Sequence, residues 1–145
     1  VNHLPQEIWR ATLLLTCGFA LWRGGRPERI AAAVLLVASF IQPLVLNTRN
    51  WLDPQWGVLV VDMSLLTLLL IMALMTDRIW VLYAAAFQLL SVIIHIATLV
   101  DEGVAPLPYR RGLVIWSYLV VASLGVGTWQ IWRSRAGAGP RAPSR

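Results

Sequence analysis

Apolar positions along this chain form five nearly continuous runs rather than stripes: Ile8–Trp22, Ile30–Leu46, Trp56–Met75, Ile79–Val100 and Gly112–Trp132. Crossing the hydrocarbon core of a bilayer takes about 20 helical residues, with a range of about 17–25. The third, fourth and fifth runs meet that length directly. The first two reach it by recruiting flanking residues. A helix of a soluble bundle keeps a charged outer face, whereas these runs are apolar all round. The pattern predicts an all-α integral membrane protein built as a bundle of about five transmembrane helices. The expected spans are 6–23, 29–46, 55–75, 78–100 and 112–132, and a basic, disordered tail is expected at 133–145, where Arg, Gly, Ala and Pro follow no period.

The breaks between runs carry the residues that end and start helices. Gly24 and Gly25 close the first helix, and Pro27 with Glu28 opens the second. Asp53 and Pro54 form a cap followed by a first-turn proline. Thr76-Asp77-Arg78 is the tightest turn, with Asp77 available as a cap, and it makes spans three and four antiparallel neighbours. Asp101 to Arg111 is the longest connection, expected to be extended by Pro106 and Pro108. Pro43 is expected to kink or end the second span.

Against this apolar background one polar pattern stands out. Gln88, Ser91, His95, Thr98 and Glu102 recur at three, four, three and four residues, which keeps them on one face of the fourth helix. A polar stripe in a membrane helix must look into the bundle or a wet cavity. With a rise of about 1.5 Å per residue, His95 lies roughly 8 Å from the middle of its span. Asp62, on the antiparallel third span, falls at comparable depth and is the most costly group to bury, at about +2.5 to +3.5 kcal/mol for an Asp at a helix centre. Gln42 with Ser39, and Tyr118 with Ser117, are expected in the same slab. The candidate polar pocket is therefore Asp62, His95, Gln88, Ser91, Thr98, Gln42 and Tyr118. The opposite half of the bundle reads as nearly pure aliphatic.

Charge then sets the topology. Only 13% of the 145 residues are charged, and all the cationic side chains are Arg, with a formal net charge of +5. One face of a five-span bundle would hold Arg23, Arg26, Arg29, Arg78, Arg133, Arg135, Arg141 and Arg145. The other would hold Arg10, Arg49, Arg110 and Arg111. The positive-inside rule then puts the N-terminus out and the C-terminus in. These arginines sit at run ends, so no nucleic-acid surface is expected. Arginine without lysine favours a bacterial, GC-rich coding style, hence a multi-pass protein of the bacterial cytoplasmic (inner) membrane. A chain beginning with Val1 reads as a fragment or a non-standard start. Trp9, Trp22, Trp51, Trp56, Trp80, Trp129 and Trp132 fall near run ends, the depth at which indoles anchor to headgroups. The small residues Ala122, Gly125, Gly127 and Thr128 read as a close-packing face.

Motifs of catalysis are missing: there is no phosphate loop, nucleophile elbow or Cys-x-x-Cys. The lone Cys17 reads as a buried thiol without lipidation or a disulfide. No metal site is expected, because His3 lies outside the spans and Cys17 is far from His95. The expected role is that of a non-enzymatic accessory or structural membrane subunit, with the bilayer and a larger complex or homo-oligomer as partners. The alternative is a small solute- or proton-handling transporter or sensor with an outward-facing pocket around Asp62 and His95. A second alternative is a haem- or pigment-associated protein using His95 as ligand.

Overall fold

The structure is a computed structural model that describes residues 4–46, 55–100 and 106–138. Within them the chain forms five helices: α1 Leu4–Arg23, α2 Arg26–Val45, α3 Trp56–Met75, α4 Ile79–Val100 and α5 Pro106–Gly137. Helices α2, α3, α4 and α5 are each long and apolar enough to cross a membrane, which makes this a helical membrane bundle. The 20-residue α1 is not in that set; its first turns carry Gln6, Glu7 and Arg10, which lower its apolarity.

Each helix buries one narrow face. On α1 it is Leu13, Cys17 and Ala20; on α2, Glu28, Ala31, Ala32 and Leu35; on α3, Val58, Asp62, Leu65, Leu66 and Leu69. The outward faces stay apolar, with Leu15 75%, Phe40 70% and Leu74 88% exposed. Only 28% of the apolar window of α3 and 44% of that of α4 is buried within the bundle. A soluble protein would not leave so much aliphatic surface open to water.

Consecutive helices pack side by side, α5 returns to α1, and α5 also reaches α2. The result is a closed ring of five. Because the ring is odd-numbered, α1 and α5 are neighbours that run parallel. Trp9 meets Tyr118 edge-on at 4.8 Å, Thr16 lies against Gly125, and Phe19 meets Trp132 at 6.4 Å. The numbers rise together on both helices.

Small residues set the close approaches. A Cβ at Gly57 would fall 2.7 Å from Val45 Cβ, so α3 can start beside the end of α2 only without a side chain there. Gly127 of α5 lies directly under the Trp80 ring of α4. The small-residue face expected on α5 thus serves two neighbours, Gly125 toward α1 and Gly127 toward α4, while Ala122 is exposed.

Several boundaries differ from the sequence expectations. Helix α5 begins at Pro106 and continues to Gly137, five residues past Trp132. A proline is tolerated in a first helical turn, where its missing N–H has no partner anyway. Pro43 lies inside α2, two residues before its end, so it terminates rather than divides the helix. The α3–α4 turn is as short as expected, but Asp77 is exposed and bonds to nothing among the described residues. Instead, Val81 N–H donates to the Arg78 carbonyl and Thr76 Oγ1 to the Met72 carbonyl. His3, Arg49, Trp51, the Asp53–Pro54 cap, Glu102 and residues 139–145 lie outside the described residues.

The two kinds of helical glycine have opposite expected behaviour. Gly127→Ala should destabilise by about 1–3 kcal/mol, because the new methyl overpacks against the Trp80 ring. Gly18, with nothing within 4 Å of its position, should gain about 0.5–1 kcal/mol on replacement by Ala. Thermal unfolding in detergent reads both.

Candidate functional site

Two buried polar clusters occupy opposite ends of the bundle. The first is centred on Asp62, in the second turn of α3. Its carboxylate is held from two sides: Gln42 Nε2 donates to Oδ1 at 3.2 Å, and His95 Nε2 lies 3.0 Å from Oδ2. Gln88 Nε2 donates to the Asp62 main-chain carbonyl at 3.3 Å. Four side chains on α2, α3 and α4 are therefore tied through one residue. The short α3–α4 turn makes this possible, since it places the start of α3 beside the end of α4. Asp62, Gln88 and His95 are 6%, 4% and 3% exposed, so little water screens these contacts.

Of the remaining candidates, Ser91 is on the same buried face, one turn below His95. Its hydroxyl has no hydrogen-bond partner, alone among the buried side-chain polar atoms of the described residues. Thr98 turns to its own helix, donating to the His95 carbonyl at 2.7 Å. Tyr118 packs on α5 against Trp9 and makes no described contact with Asp62. Ser39 and Ser117 likewise bond to their own helices, at the Leu35 and Leu113 carbonyls. A serine or threonine in an apolar helix commonly satisfies its hydroxyl in this way. The His95 imidazole directs Nε2 at a carboxylate, and among the described residues no three His, Cys, Asp or Glu side chains gather as metal ligands.

The second cluster overturns the expectation of an aliphatic half. Glu28 in the first turn of α2 has no exposed surface. One oxygen, Oε2, accepts the Gly25 N–H at 2.9 Å, the backward half of a capping box. The other, Oε1, accepts Trp80 Nε1–H at 2.9 Å and lies 4.0 Å from Arg78 Nε. Trp80 is consequently 5% exposed and belongs to the core. Its expected role as a headgroup anchor is corrected. Proximity to a run end gave no information about which way the indole faces. Trp22 and Trp56, 70% and 61% exposed, do lie at the periphery. The signal that could have found Glu28 is its face: it shares helix register with the small residues Ala31 and Ala32, which admit close neighbours.

No protein-family model, curated protein or solved structure matches this chain.

Removing the indole donor tests the second cluster. Trp80→Phe keeps the ring bulk but leaves Glu28 with one strong donor fewer, and a buried acceptor left short costs about 1–3 kcal/mol. The same change at the half-exposed Trp129 should fall within about 0.5 kcal/mol of the parent. Equal effects at the two positions would mean the Glu28 bond contributes nothing.

Proposed function

We infer that this protein is a small, non-catalytic membrane subunit of five spans, with its N-terminus outside and its C-terminus in the bacterial cytoplasm, that packs into a larger complex or a homo-oligomer. The observation that carries the reading is the state of Asp62. Both carboxylate oxygens are engaged by neighbouring helices and the residue is buried. A group so occupied fixes helix register. Interhelical polar bonds of this kind contribute about 0.6 kcal/mol on average in membranes, and up to about 1.7.

The fifth span is supported by α1 lying parallel to α5 from Trp9 to Phe19. Its exposed Leu14, Leu15 and Leu21 suit lipid or a partner helix. Orientation is supported by charge. The Glu28 end carries Arg23, Arg26, Arg29, Arg78, Arg133 and Arg135, against Arg10, Arg110 and Arg111 at the Asp62 end among the described residues. The richer end is the cytoplasmic one by the positive-inside rule.

A second reading, proton or solute handling at Asp62 and His95, is favoured by one observation. The Ser91 hydroxyl is buried and unpaired within a turn of both Gln88 and His95. A haem or pigment on His95 is disfavoured, since Nε2 already faces Asp62.

Liposome flux and pull-down experiments separate these. The subunit reading expects no proton flux above that of protein-free vesicles, and Asp62→Asn should lower thermal stability without altering permeability. Affinity purification in mild detergent should return a partner or a homo-oligomer. Flux abolished by Asp62→Asn, or a strictly monomeric and partner-free protein, would sink it.

A further inference from the structure

The carboxyl ends of α1 and α5 border an open surface recess of about 330 Å³ lined by Trp22, Arg23, Trp132, Arg135 and Ala136. Two guanidinium groups face it from different helices. Arg135 Nη1 lies 3.5 Å from the Arg23 main-chain carbonyl, and the Arg23 guanidinium stacks 4.0 Å above the Trp22 ring. The carbonyl end of α1 is the negative pole of its dipole and draws cations to this place.

What these cations lack is a counter-ion. Among the described residues the ion pairs are Arg10–Glu7, Arg78–Glu28 and His95–Asp62, so neither Arg23 nor Arg135 lies within 4.0 Å of a carboxylate. Glu28, which approaches Gly25 from the same side as Arg135, is already engaged by Gly25, Trp80 and Arg78. A recess walled by two guanidinium groups with no carboxylate within 4.0 Å among the described residues is complementary to an anion, and arginine forks match phosphate oxygens in particular.

The walls identify the source of that phosphate. Trp22 and Trp132 are 70% and 41% exposed, and such indoles belong at headgroup depth. Leu15, 75% exposed, lies two turns below Trp22 on the same face of α1, where an acyl chain would run. Basic recesses between helices on the cytoplasmic side are suited to anionic lipid head groups. We propose that the cleft between α1 and α5 binds the phosphodiester of an anionic membrane lipid, with Arg23 and Arg135 holding the phosphate and Trp22 and Trp132 flanking it. This deepens the membrane-subunit reading and rests on it.

The test uses delipidated, purified full chain in detergent, with thermal unfolding and native mass spectrometry as readouts. Phosphatidylglycerol should raise the melting temperature, whereas phosphatidylcholine and millimolar inorganic phosphate should not. The double variant Arg23→Gln/Arg135→Gln should lose about 30-fold in retention of phosphatidylglycerol, at about fivefold per arginine near an anionic lipid. Arg10→Gln, at the opposite end, should retain it like the parent. Each variant is compared with its own lipid-free melting temperature, so a change in basal stability does not enter. If the double variant fails to fold, Arg23→Gln alone serves, because its side chain stacks on Trp22 without bonding to another helix; it should lose about fivefold.

Equal shifts with phosphatidylcholine, or parental retention by the arginine variants, would overturn the site. A shift reproduced by inorganic phosphate would make it a soluble-anion site and overturn the lipid assignment. Carbonate washing of membranes keeps the two readings apart. A wild-type chain that is extracted overturns membrane insertion and the lipid site together, while one that stays but shows no anionic preference overturns the lipid site alone.

Discussion

The arrangement depends on where Glu28 finds its hydrogen bonds. Lipid tails are as apolar as leucine, so burial of aliphatic faces gives these helices little reason to prefer one another. An acid without solvent access has to be bonded, and its partners here are specific. The Gly25 amide fixes the α1–α2 turn, and the Trp80 indole fixes the start of α4 against the start of α2. Gly127 then becomes obligatory on α5, because the ring that reaches Glu28 fills the space where a side chain would sit. One carboxylate thus orders four of the five helices.

Asp62 repeats this logic at the other end with different helices. It joins α3 to the end of α2 through Gln42, to the last third of α4 through His95 and to the middle of α4 through Gln88. Helices α2 and α4 are therefore clamped at both ends, by Glu28–Trp80 and through Asp62. Register along a smooth apolar rod is otherwise poorly determined. Two polar ties at opposite ends of the same helices leave little freedom to slide or rotate.

Much of the fold was legible because hydrophobic runs and turn residues act locally. The runs ending at Leu46, Met75 and Val100 correspond closely to helices that end at Val45, Met75 and Val100, and the three-residue α3–α4 turn forced the Asp62–His95 meeting. Gln42 and Gln88 followed from depth and helical face. Tyr118 did not, because depth alone leaves the direction around the α5 axis open, and its ring turns to Trp9 instead. Glu28 and Trp80 were obscured for a related reason: a helix-capping acid and an interfacial indole look the same in sequence as a buried pair. Which they are depends on the ring of helices closing, and that is a non-local event.

The 52-residue separation of Glu28 and Trp80 has a consequence for how the chain enters the bilayer. As α2 emerges, Glu28 can satisfy one oxygen at once through Gly25, three residues away. The other has no partner within the bundle until α4 has been synthesised. Likewise α1, which is not among the helices long and apolar enough to span by themselves, reaches its parallel neighbour only when the last helix is complete. Insertion of this small bundle therefore passes through a stage in which an acidic first turn and a marginal first helix are both held in place by something other than the finished protein.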